Sequence, residues 1–333
     1  MEKASYNEKV NTETLKCLLC PNACLVKTEG YCKVRVNQAG ELFSKVINRY
    51  SVVAIDPIEK KPLYNYYPGE RILSLGSIGC NFRCKHCQNW EISQPQHGNP
   101  ARELTYLSPA NIIDLAIKNK LKLIAFTYNE PTINLESIRE TAILAKPKNL
   151  KIVSVTNGYL SKELLAEMNT YIDAYSIDLK AFDRDKYIEL TGVDAFAKVK
   201  EVIERLVLAG KHIELVTNLV TGINDNMEQL IKAGEWIYSL SPHLPWHLTI
   251  FQPKHLYANK SHINPQIVND INKWAQARGL SYVYSIYNEA TTCPCCKKPN
   301  INRRHFEVLE NHTANNKCDY CGQTLPFFEN AKP

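Results

Sequence analysis

Residues 80–87 read Cys80-Asn-Phe-Arg-Cys84-Lys-His-Cys87, which places three cysteines in one short loop in the pattern C-x3-C-x2-C. Four thiolates close a structural zinc or iron–sulfur site, whereas three leave one position open for another ligand. The apolar run just before the loop, residues 71–78, predicts a buried strand. Because α/β barrels place their chemistry at the carboxyl ends of strands, we predict a catalytic metal site here. A zinc loop and a partial ferredoxin site are the alternatives.

Apolar, β-branched runs alternate with helix-length amphipathic segments from residue 71 onward. Further strands are predicted at residues 121–127, 150–156, 172–179, 213–220, 246–251 and 280–286. The helices between them begin with capping signals, such as Ser108 followed by Pro109, and Ser161. This alternation predicts parallel strands, and therefore an α/β fold with a partial, open (β/α)6-type barrel.

Three parts are predicted along the chain: a Cys-rich N-terminal segment at residues 1–70, the barrel at 71–288, and a zinc-ribbon-like tail at 289–333. The chain has 333 residues, 44% of them hydrophobic, and a net charge of +6 without a dense Lys/Arg run. That charge is no nucleic-acid signature by itself. The sequence has no membrane-spanning apolar stretch, and its polar start lacks a signal peptide's apolar core, so we expect a cytoplasmic protein without a membrane partner.

The twelve cysteines fall into three tight groups, which favours metal ligation over disulfides. The first group comprises Cys17, Cys20, Cys24 and Cys32. Four thiolates on a short segment that contains Gly and Pro can close one site. Zinc and a second iron–sulfur cluster both fit this spacing, and unliganded thiols are the remaining alternative.

The last group pairs Cys-x2-Cys with Cys-x2-Cys-Gly, a zinc-ribbon or rubredoxin-like signal. Its predicted zinc ligands are Cys293, Cys296, Cys318 and Cys321, with Cys295 surplus or a substitute. Zinc ribbons often bind nucleic acid, and four basic residues lie nearby: Lys297, Lys298, Arg303 and Arg304. A purely structural zinc ribbon is favoured, and an RNA-binding ribbon is the alternative.

The spacing of residues 80–87 resembles the signature of the radical SAM (S-adenosylmethionine) enzymes. In that family three cysteines hold a [4Fe–4S] cluster whose free iron is chelated by the methionine part of SAM. One electron then cleaves SAM to methionine and a 5′-deoxyadenosyl radical, which abstracts hydrogen from a substrate. The resemblance implies a [4Fe–4S] cluster on Cys80, Cys84 and Cys87, SAM as cofactor, and an electron donor such as ferredoxin or flavodoxin.

Polar residues follow the predicted strands where the barrel mouth is expected. Glu130 lies in a segment that resembles the family's Gly-Gly-Glu-type motif, which binds the SAM amino group, although Tyr128 and Asn129 replace the glycines. Lys180 is expected to pair with the SAM carboxylate. His86 takes the place of a residue that is usually aromatic and packs on the adenine, and an exposed loop histidine is the alternative.

Three further residues resemble the glycyl-radical-activating branch, typified by pyruvate formate-lyase activating enzyme. Asn157 lies in a Thr-Asn-Gly triplet, Asp178 in Asp-Leu-Lys, and His255 where the branch has a histidine near the ribose. Each residue alone also suits a cap, a turn or a solvated charge. Their recurrence at successive strand ends favours cofactor binding.

Nearly the whole chain resembles the radical SAM enzyme of the AmmeMemoRadiSam system. The most specific stretch is residues 87–93, and residues 17–21, 30–35 and 56–64 add to it. The resemblance does not define a substrate. We expect a protein or peptide segment that enters through the lateral opening of the barrel and contacts the aromatic run at residues 64–67. An RNA-modifying radical SAM enzyme and a non-catalytic iron–sulfur or zinc protein are the alternatives.

Overall fold

The structure is a computed structural model that describes residues 1–97 and 103–327. An eight-stranded sheet forms its centre, and spatial order follows chain order from one edge to the other. The strands are β1 (Val52–Pro57), β2 (Arg71–Gly76), β3 (Leu123–Phe126), β4 (Lys151–Thr156), β5 (Ala174–Asp178), β6 (His212–Leu219), β7 (Trp246–Ile250) and β8 (Val283–Ser285). Strands β2 to β8 are parallel, and β1 is antiparallel to β2. The predicted parallel strands are confirmed.

Helices connect the parallel strands: α1 (Trp90–Ser93), α2 (Pro109–Lys118), α3 (Leu135–Ala145), α4 (Lys162–Tyr171), α5 (Arg184–Thr191), α6 (Phe196–Leu208), α7 (Met227–Leu240) and α8 (Pro265–Arg278). Short 3-10 turns occupy Ile58–Lys60, Pro131–Asn134, Lys146–Lys148 and His255–Tyr257. The predicted caps of α2 and α4 are confirmed, because the hydroxyls of Ser108 and Ser161 accept hydrogen bonds from Asn111 N and Leu164 N. Within the described residues, every helix is too short or too polar to cross a membrane.

Strand β1 was not expected as part of the sheet, which therefore begins before residue 71. Pairing runs from Val52 opposite Gly76 to Pro57 opposite Arg71. A proline in a strand is tolerated at an edge, where its missing N–H leaves no neighbour unpaired, so Pro57 does not prevent this strand. Two short strands, Glu41–Ser44 and Arg49–Tyr50, precede it.

The N-terminal segment forms two three-stranded sheets. One contains Glu2–Lys3, Arg35–Gln38 and Glu41–Ser44, and the other contains Asn7–Lys9, Leu15–Cys17 and Leu25–Val26. A separate two-stranded pairing joins Arg49–Tyr50 to Thr105–Tyr106. Arg35 fastens the segment to the barrel, because its buried guanidinium donates to both carboxylate oxygens of Glu136 on α3, at 2.8 and 2.7 Å.

Most of residues 58–67 lie buried inside the barrel, with Lys60 exposed at the cavity mouth. Tyr64 and Tyr66 are 8% and 3% exposed, so the expectation that residues 64–67 contact a bound chain is wrong. The backbone N–H groups of Tyr64 and Asn65 donate to the carboxylate of Glu214 on β6, and Tyr284 on β8 donates to the Asn65 side chain. The segment therefore runs from β1 to the opposite edge strand, and closes the lateral opening at this level.

The tail forms a three-stranded sheet of Thr291–Thr292, Pro299–Arg304 and Glu307–Asn311, followed by a pairing of Thr313–Ala314 with Lys317–Cys318. Arg303 fastens this sheet to the barrel. Its buried guanidinium donates to the carbonyl of Tyr64 and the hydroxyl of Thr291, both at 2.7 Å, and lies 3.4 Å from Glu59. Arg303 is thus a structural link, and of the four basic residues near the tail cysteines it is not available to an RNA phosphate.

Candidate active site

A cavity of about 470 Å³ lies where the carboxyl ends of β2 to β7 meet. Eight of the predicted site residues line it: Cys80, Cys84, His86, Cys87, Glu130, Asn157, Asp178 and Lys180. Its outer wall includes the exposed Lys60, Gln88 and Asn89, and the half-exposed Phe306 of the tail. The cavity therefore runs from buried strand ends to the protein surface.

The cysteine loop turns sharply as it leaves β2. Gly79 has φ +85°, and a Cβ at this position would stand 2.5 Å from the carbonyl oxygen of Cys32, so only glycine fits. Farther along, the backbone N–H groups of Arg83 and Lys85 donate to the carbonyls of Thr191 and Leu190 at the end of α5. These bonds hold the loop between the N-terminal segment and the barrel.

The three loop cysteines are suited to ligation. Burial raises the pKa of the Cys80 and Cys87 thiols, and raises that of Cys84 to about 12 although Lys180 opposes the shift. Thiolates in such surroundings require a compensating cation, and metal binding supplies one. Three thiols on one loop beside an open cavity fit a [4Fe–4S] cluster that keeps one iron free.

Glu130 joins the ends of β3 and β4. Its fully buried carboxylate accepts hydrogen bonds from the hydroxyl and N–H of Thr132, from the Thr156 hydroxyl at 2.7 Å and from Asn157 N at 2.9 Å. Burial raises the pKa of Glu130, and these neutral donors offset only part of the shift. The described residues thus leave a buried carboxylate without a cationic partner among its hydrogen-bond donors, next to the cysteine loop.

An amide network ties the loop to the strand ends. Asn157 Nδ2 donates to Asn81 Oδ1 at 2.7 Å, and Asn129 Nδ2 donates to the carbonyl of Gly79 at 3.0 Å while its Oδ1 accepts from Ser77 N. Neither Asn81 nor Asn129 was among the site residues predicted from the sequence. Their position, an amide directly at a strand end or next to a ligand cysteine, was the signal that could have identified them.

Asp178 and Lys180 form an ion pair at the end of β5, with Lys180 Nζ 2.7 Å from Asp178 Oδ2. Burial disfavours the charged ammonium, but Asp178 and the nearby Cys84 outweigh burial and raise the pKa of Lys180. The carbonyl of Lys180 accepts from Asn224 Nδ2 at 2.6 Å, which fixes the turn after the strand. A fixed cation therefore stands beside the cysteine loop.

The two predicted histidines lie in different places. His86 lines the cavity and is only 5% exposed, so the alternative of an exposed loop histidine is wrong. Burial and the nearby Lys180 lower the pKa of His86 to about 3, and its Nδ1 has no hydrogen-bond partner among the described residues. His255 does not line the cavity; it stacks on Trp90 of α1, with ring centroids 5.1 Å apart. Its contact with the ribose stays a prediction.

A second buried ion pair lies in the cavity wall, and sequence reasoning missed it. Lys61 Nζ donates to Asp56 Oδ2 at 2.6 Å, and the Tyr128 hydroxyl donates to the same oxygen. Lys61 is 2% exposed, and burial lowers its pKa in spite of Asp56. The Asp-Pro-Ile-Glu-Lys-Lys run that carries part of the resemblance could have identified this pair.

The described residues contain one group of three or more potential metal ligands with all ligand atoms within 4.8 Å of one another: Cys293, Cys296, Cys318 and Cys321. The sulfurs of Cys293 and Cys321 are 3.8 Å apart, as are those of Cys296 and Cys318. A tetrahedral site with zinc–sulfur bonds of about 2.3 Å has edges of about 3.8 Å. The predicted four-cysteine site of the tail is thus confirmed in its geometry, and Cys295 lies outside it.

The chain is similar to known proteins in sequence and in fold. Residues 75–237 match the radical SAM superfamily. An uncharacterized protein of Methanocaldococcus jannaschii, MJ0808, is 32% identical over 98% of this chain and 99% of its own length. The chain belongs to the radical SAM superfamily. It is also 28% identical to the pyruvate formate-lyase-activating enzyme of Staphylococcus epidermidis, over 52% of this chain and 71% of that protein.

Among solved structures, the chain resembles Streptococcus suis SuiB bound to precursor peptide SuiA. The TM-score is 0.52 at 15% identity, over 68% of this chain and 51% of SuiB, so the likeness concerns the fold. Radical SAM membership makes the chain an enzyme with a [4Fe–4S] cluster and SAM as cofactors. The open cavity beside Cys80, Cys84 and Cys87 fits both groups.

Proposed function

We propose that Cys80, Cys84 and Cys87 hold the cluster that reductively cleaves SAM, and that the resulting 5′-deoxyadenosyl radical abstracts hydrogen from a carbon of a protein or peptide segment. The observation that carries this proposal is the placement of the three loop thiols, with Cys84 buried and Cys80 and Cys87 half-buried, beside the polar ends of neighbouring strands in one cavity. The motifs at residues 17–21, 30–35, 56–64 and 87–93 support assignment to the radical SAM enzyme of the AmmeMemoRadiSam system.

The residues around the thiols divide the work of holding SAM. Glu130 and the backbone carbonyls of the Tyr128–Glu130 turn are suited to bind the amino group of SAM. Lys180 is suited to bind the carboxylate of SAM, which would replace part of its ion pair with Asp178. Neutral His86 offers a flat face and a free Nδ1 to the adenine. His255 would reach the ribose only if SAM extends toward Trp90.

The size and opening of the cavity support a macromolecular substrate. A volume of about 470 Å³ is modest for a site that holds cofactor and substrate together. Bound SAM would fill the inner part, and a substrate would have to approach past Lys60, Pro62 and Phe306 at the outer wall. An extended peptide can place one residue there while the remainder of it lies outside. The pyruvate formate-lyase-activating enzyme relative supports the same substrate class.

The charges of the cavity favour a peptide over RNA. The basic residues of the described lining are Lys60, Lys61 and Lys180, and each is paired within the protein, to Asp56 or Asp178. Binding of a phosphate backbone depends on unpaired Lys and Arg side chains along a groove. The buried Arg303 removes a further cation from the tail.

The cluster assignment is tested by changing Cys80, Cys84 and Cys87 to alanine, with Cys295→Ala as a matched control for loss of a thiol. We expect the triple variant to release no 5′-deoxyadenosine from SAM under anaerobic reduction, while its circular dichroism matches that of the wild-type protein. Release at the wild-type rate by the triple variant would overturn the assignment.

The substrate class is tested by following the abstracted hydrogen. The reduced enzyme is incubated with SAM and with protein, RNA or small-molecule fractions from cells grown in deuterated medium. Hydrogen abstraction from the substrate transfers deuterium to 5′-deoxyadenosine, which mass spectrometry detects. We expect deuterium only with the protein fraction, and protease treatment should abolish the signal. Deuterium that depends on the RNA fraction would instead establish the RNA-modifying alternative.

A further inference from the structure

The N-terminal cysteines share one narrow cavity but differ in spacing from those of the tail. Cys17, Cys20, Cys24 and Cys32 all line this cavity, together with Arg35 and Asn81. They are absent from the groups of described residues whose ligand atoms converge within 4.8 Å, so no three of their sulfurs surround a point closely enough for one ion. The tail site, with sulfur pairs 3.8 Å apart, shows what a one-ion arrangement looks like in the same protein.

The N-terminal group shares this lack of convergence with the cysteine loop at residues 80–87. Cys80, Cys84 and Cys87 also line a common cavity without converging on a point. The thiolates of a [4Fe–4S] cluster stand at the corners of a cubane, each on its own iron, and are therefore farther apart than those around one zinc ion. Two of the three cysteine groups thus lack the one-ion arrangement of the tail, as ligation of a multi-iron cluster requires.

Arg35 adds an independent observation. Its side chain is 1% exposed and lines the cavity with the four cysteines. Nη1 and Nη2 donate to Glu136, but Nε has no hydrogen-bond partner among the described residues. A buried N–H donor without a partner is costly, and a sulfide or thiolate of a cluster would satisfy it. The guanidinium would also offset the negative charge of a thiolate-ligated cluster.

We propose that Cys17, Cys20, Cys24 and Cys32 hold a second [4Fe–4S] cluster, which passes single electrons to the site at Cys80, Cys84 and Cys87. Four cysteines leave no open iron, so this cluster has no position for SAM and is suited to electron transfer. In the relay an external one-electron reductant of the ferredoxin or flavodoxin class is oxidised, the second cluster is reduced and reoxidised in turn, and SAM takes up the electron as its carbon–sulfur bond breaks.

Direct contacts between the two cysteine segments support the relay. Asn22 Nδ2 donates to the carbonyl of Asn81 at 3.0 Å, and the carbonyl of Cys32 lies against Gly79. Arg83 donates to the carbonyl of Tyr31, and its guanidinium stands 4.1 Å from the centre of the Tyr31 ring. One side of the cysteine loop at residues 80–87 therefore packs on the segment that carries the four N-terminal cysteines.

Metal content tests the second cluster without reference to catalysis. The Cys80/Cys84/Cys87→Ala protein, isolated anaerobically, should retain about four irons per chain, against about eight in the wild-type protein, with about one zinc in both. Adding Cys24→Ala should remove the remaining iron signal or convert it to a three-iron species in electron paramagnetic resonance. Adding Cys295→Ala instead should leave it unchanged. No iron and two zinc ions in the triple variant, or no metal at the N-terminal site, would overturn the proposal.

The relay rests on the proposed function and is tested by counting electrons. Protein that has been fully reduced and freed of reductant is mixed with SAM. With two reduced clusters we expect about two molecules of 5′-deoxyadenosine per chain, and about one for Cys24→Ala, because each cleavage consumes one electron. Equal yields would reject the relay. If neither protein released 5′-deoxyadenosine, the proposed function would fail, while the iron count would still decide the second cluster.

Discussion

Two buried glutamates stand at opposite ends of the barrel strands and differ in how their charge is compensated. Glu130, at the carboxyl ends, accepts from hydroxyls and amides, and burial raises its pKa. Glu214, near the amino ends, accepts from His212 and His247 and from the backbone of Tyr64 and Asn65. Burial raises the pKa of Glu214, but the two imidazoles outweigh it and lower that pKa to about 2.

The difference separates a structural carboxylate from the one that we propose binds SAM. Glu214 has all the partners that its charge needs, and it fastens residues 58–67 inside the barrel. Glu130 lines the cavity beside the cysteine loop, where the amino group of SAM would supply the missing cation. Functional chemistry at the carboxyl ends and stabilising contacts at the amino ends are what α/β barrels generally show.

The largest expected effect is a loss of stability when the structural carboxylate of Glu214 is removed. Glu214→Ala leaves two histidines and two backbone N–H groups buried without their acceptor, so the free energy of unfolding should fall by about 3–5 kcal/mol. Denaturant unfolding measures this loss, and Glu228→Ala on the surface of α7 is the control that should leave the midpoint unchanged. A midpoint for Glu214→Ala equal to that of the control would show that the network is dispensable.

The acid dependence of stability should identify the same carboxylate. Because its folded-state pKa is lowered from 4.5 to about 2, Glu214 contributes stability that is complete above about pH 4.5 and is lost as the pH falls toward 2. The shift corresponds to about 3 kcal/mol. The difference in unfolding free energy between wild-type protein and Glu214→Gln should therefore shrink across this window. A difference that stays constant from pH 6 to pH 3 would contradict the assignment.

Glu130→Gln tests the functional side. The variant keeps the size of the side chain but removes the charge, so SAM binding should weaken by about 1–3 kcal/mol, the cost of leaving a charged donor with a poorer partner. Anaerobic calorimetry on the reconstituted protein measures the affinity. Glu214→Gln is the matched control, with reduced stability but unchanged affinity. Equal affinities for Glu130→Gln and wild-type protein would remove this carboxylate from the SAM site.

The strands and the cysteine loop were predictable because each has a local signal. Apolar runs gave β2 to β8 within a few residues, and Cys80, Cys84 and Cys87 follow a fixed spacing. Burial of residues 64–67 was not predictable, since it depends on Glu214 and Tyr284, which lie far along the chain. The Lys61–Asp56 pair has a local signal in the Asp-Pro-Ile-Glu-Lys-Lys run, but its place in the cavity wall depends on Tyr128, which lies far along the chain after β3.

The relative positions of the cysteine sulfurs also could not be predicted from the sequence. Cysteine groups at both ends of the chain suggest four ligands each, but only the fold shows that the tail sulfurs converge on one point and that the N-terminal sulfurs, although they share one cavity, do not. The tail brings its two Cys-x2-Cys knuckles together through a short sheet, whereas the N-terminal cysteines are spread from the strand Leu15–Cys17 to the turn before Arg35. Identical residue types thus lead to different metal predictions.

The smallest effect on catalysis is expected from removing the metal of the tail. A tetrahedral site with four thiolates has no open position, so we propose that it binds zinc and only stabilises the tail. The tail meets the barrel through the buried Arg303 and lines only the outer cavity wall, through Phe306. A zinc chelator should therefore release about one zinc ion per chain and increase proteolysis after residue 289, while the iron–sulfur absorbance and SAM cleavage remain.

Cys318→Ala should reproduce this result without a chelator, and Cys295→Ala should not. Iron at the tail site, identified by anomalous scattering, would contradict the assignment and give the tail a part in electron transfer.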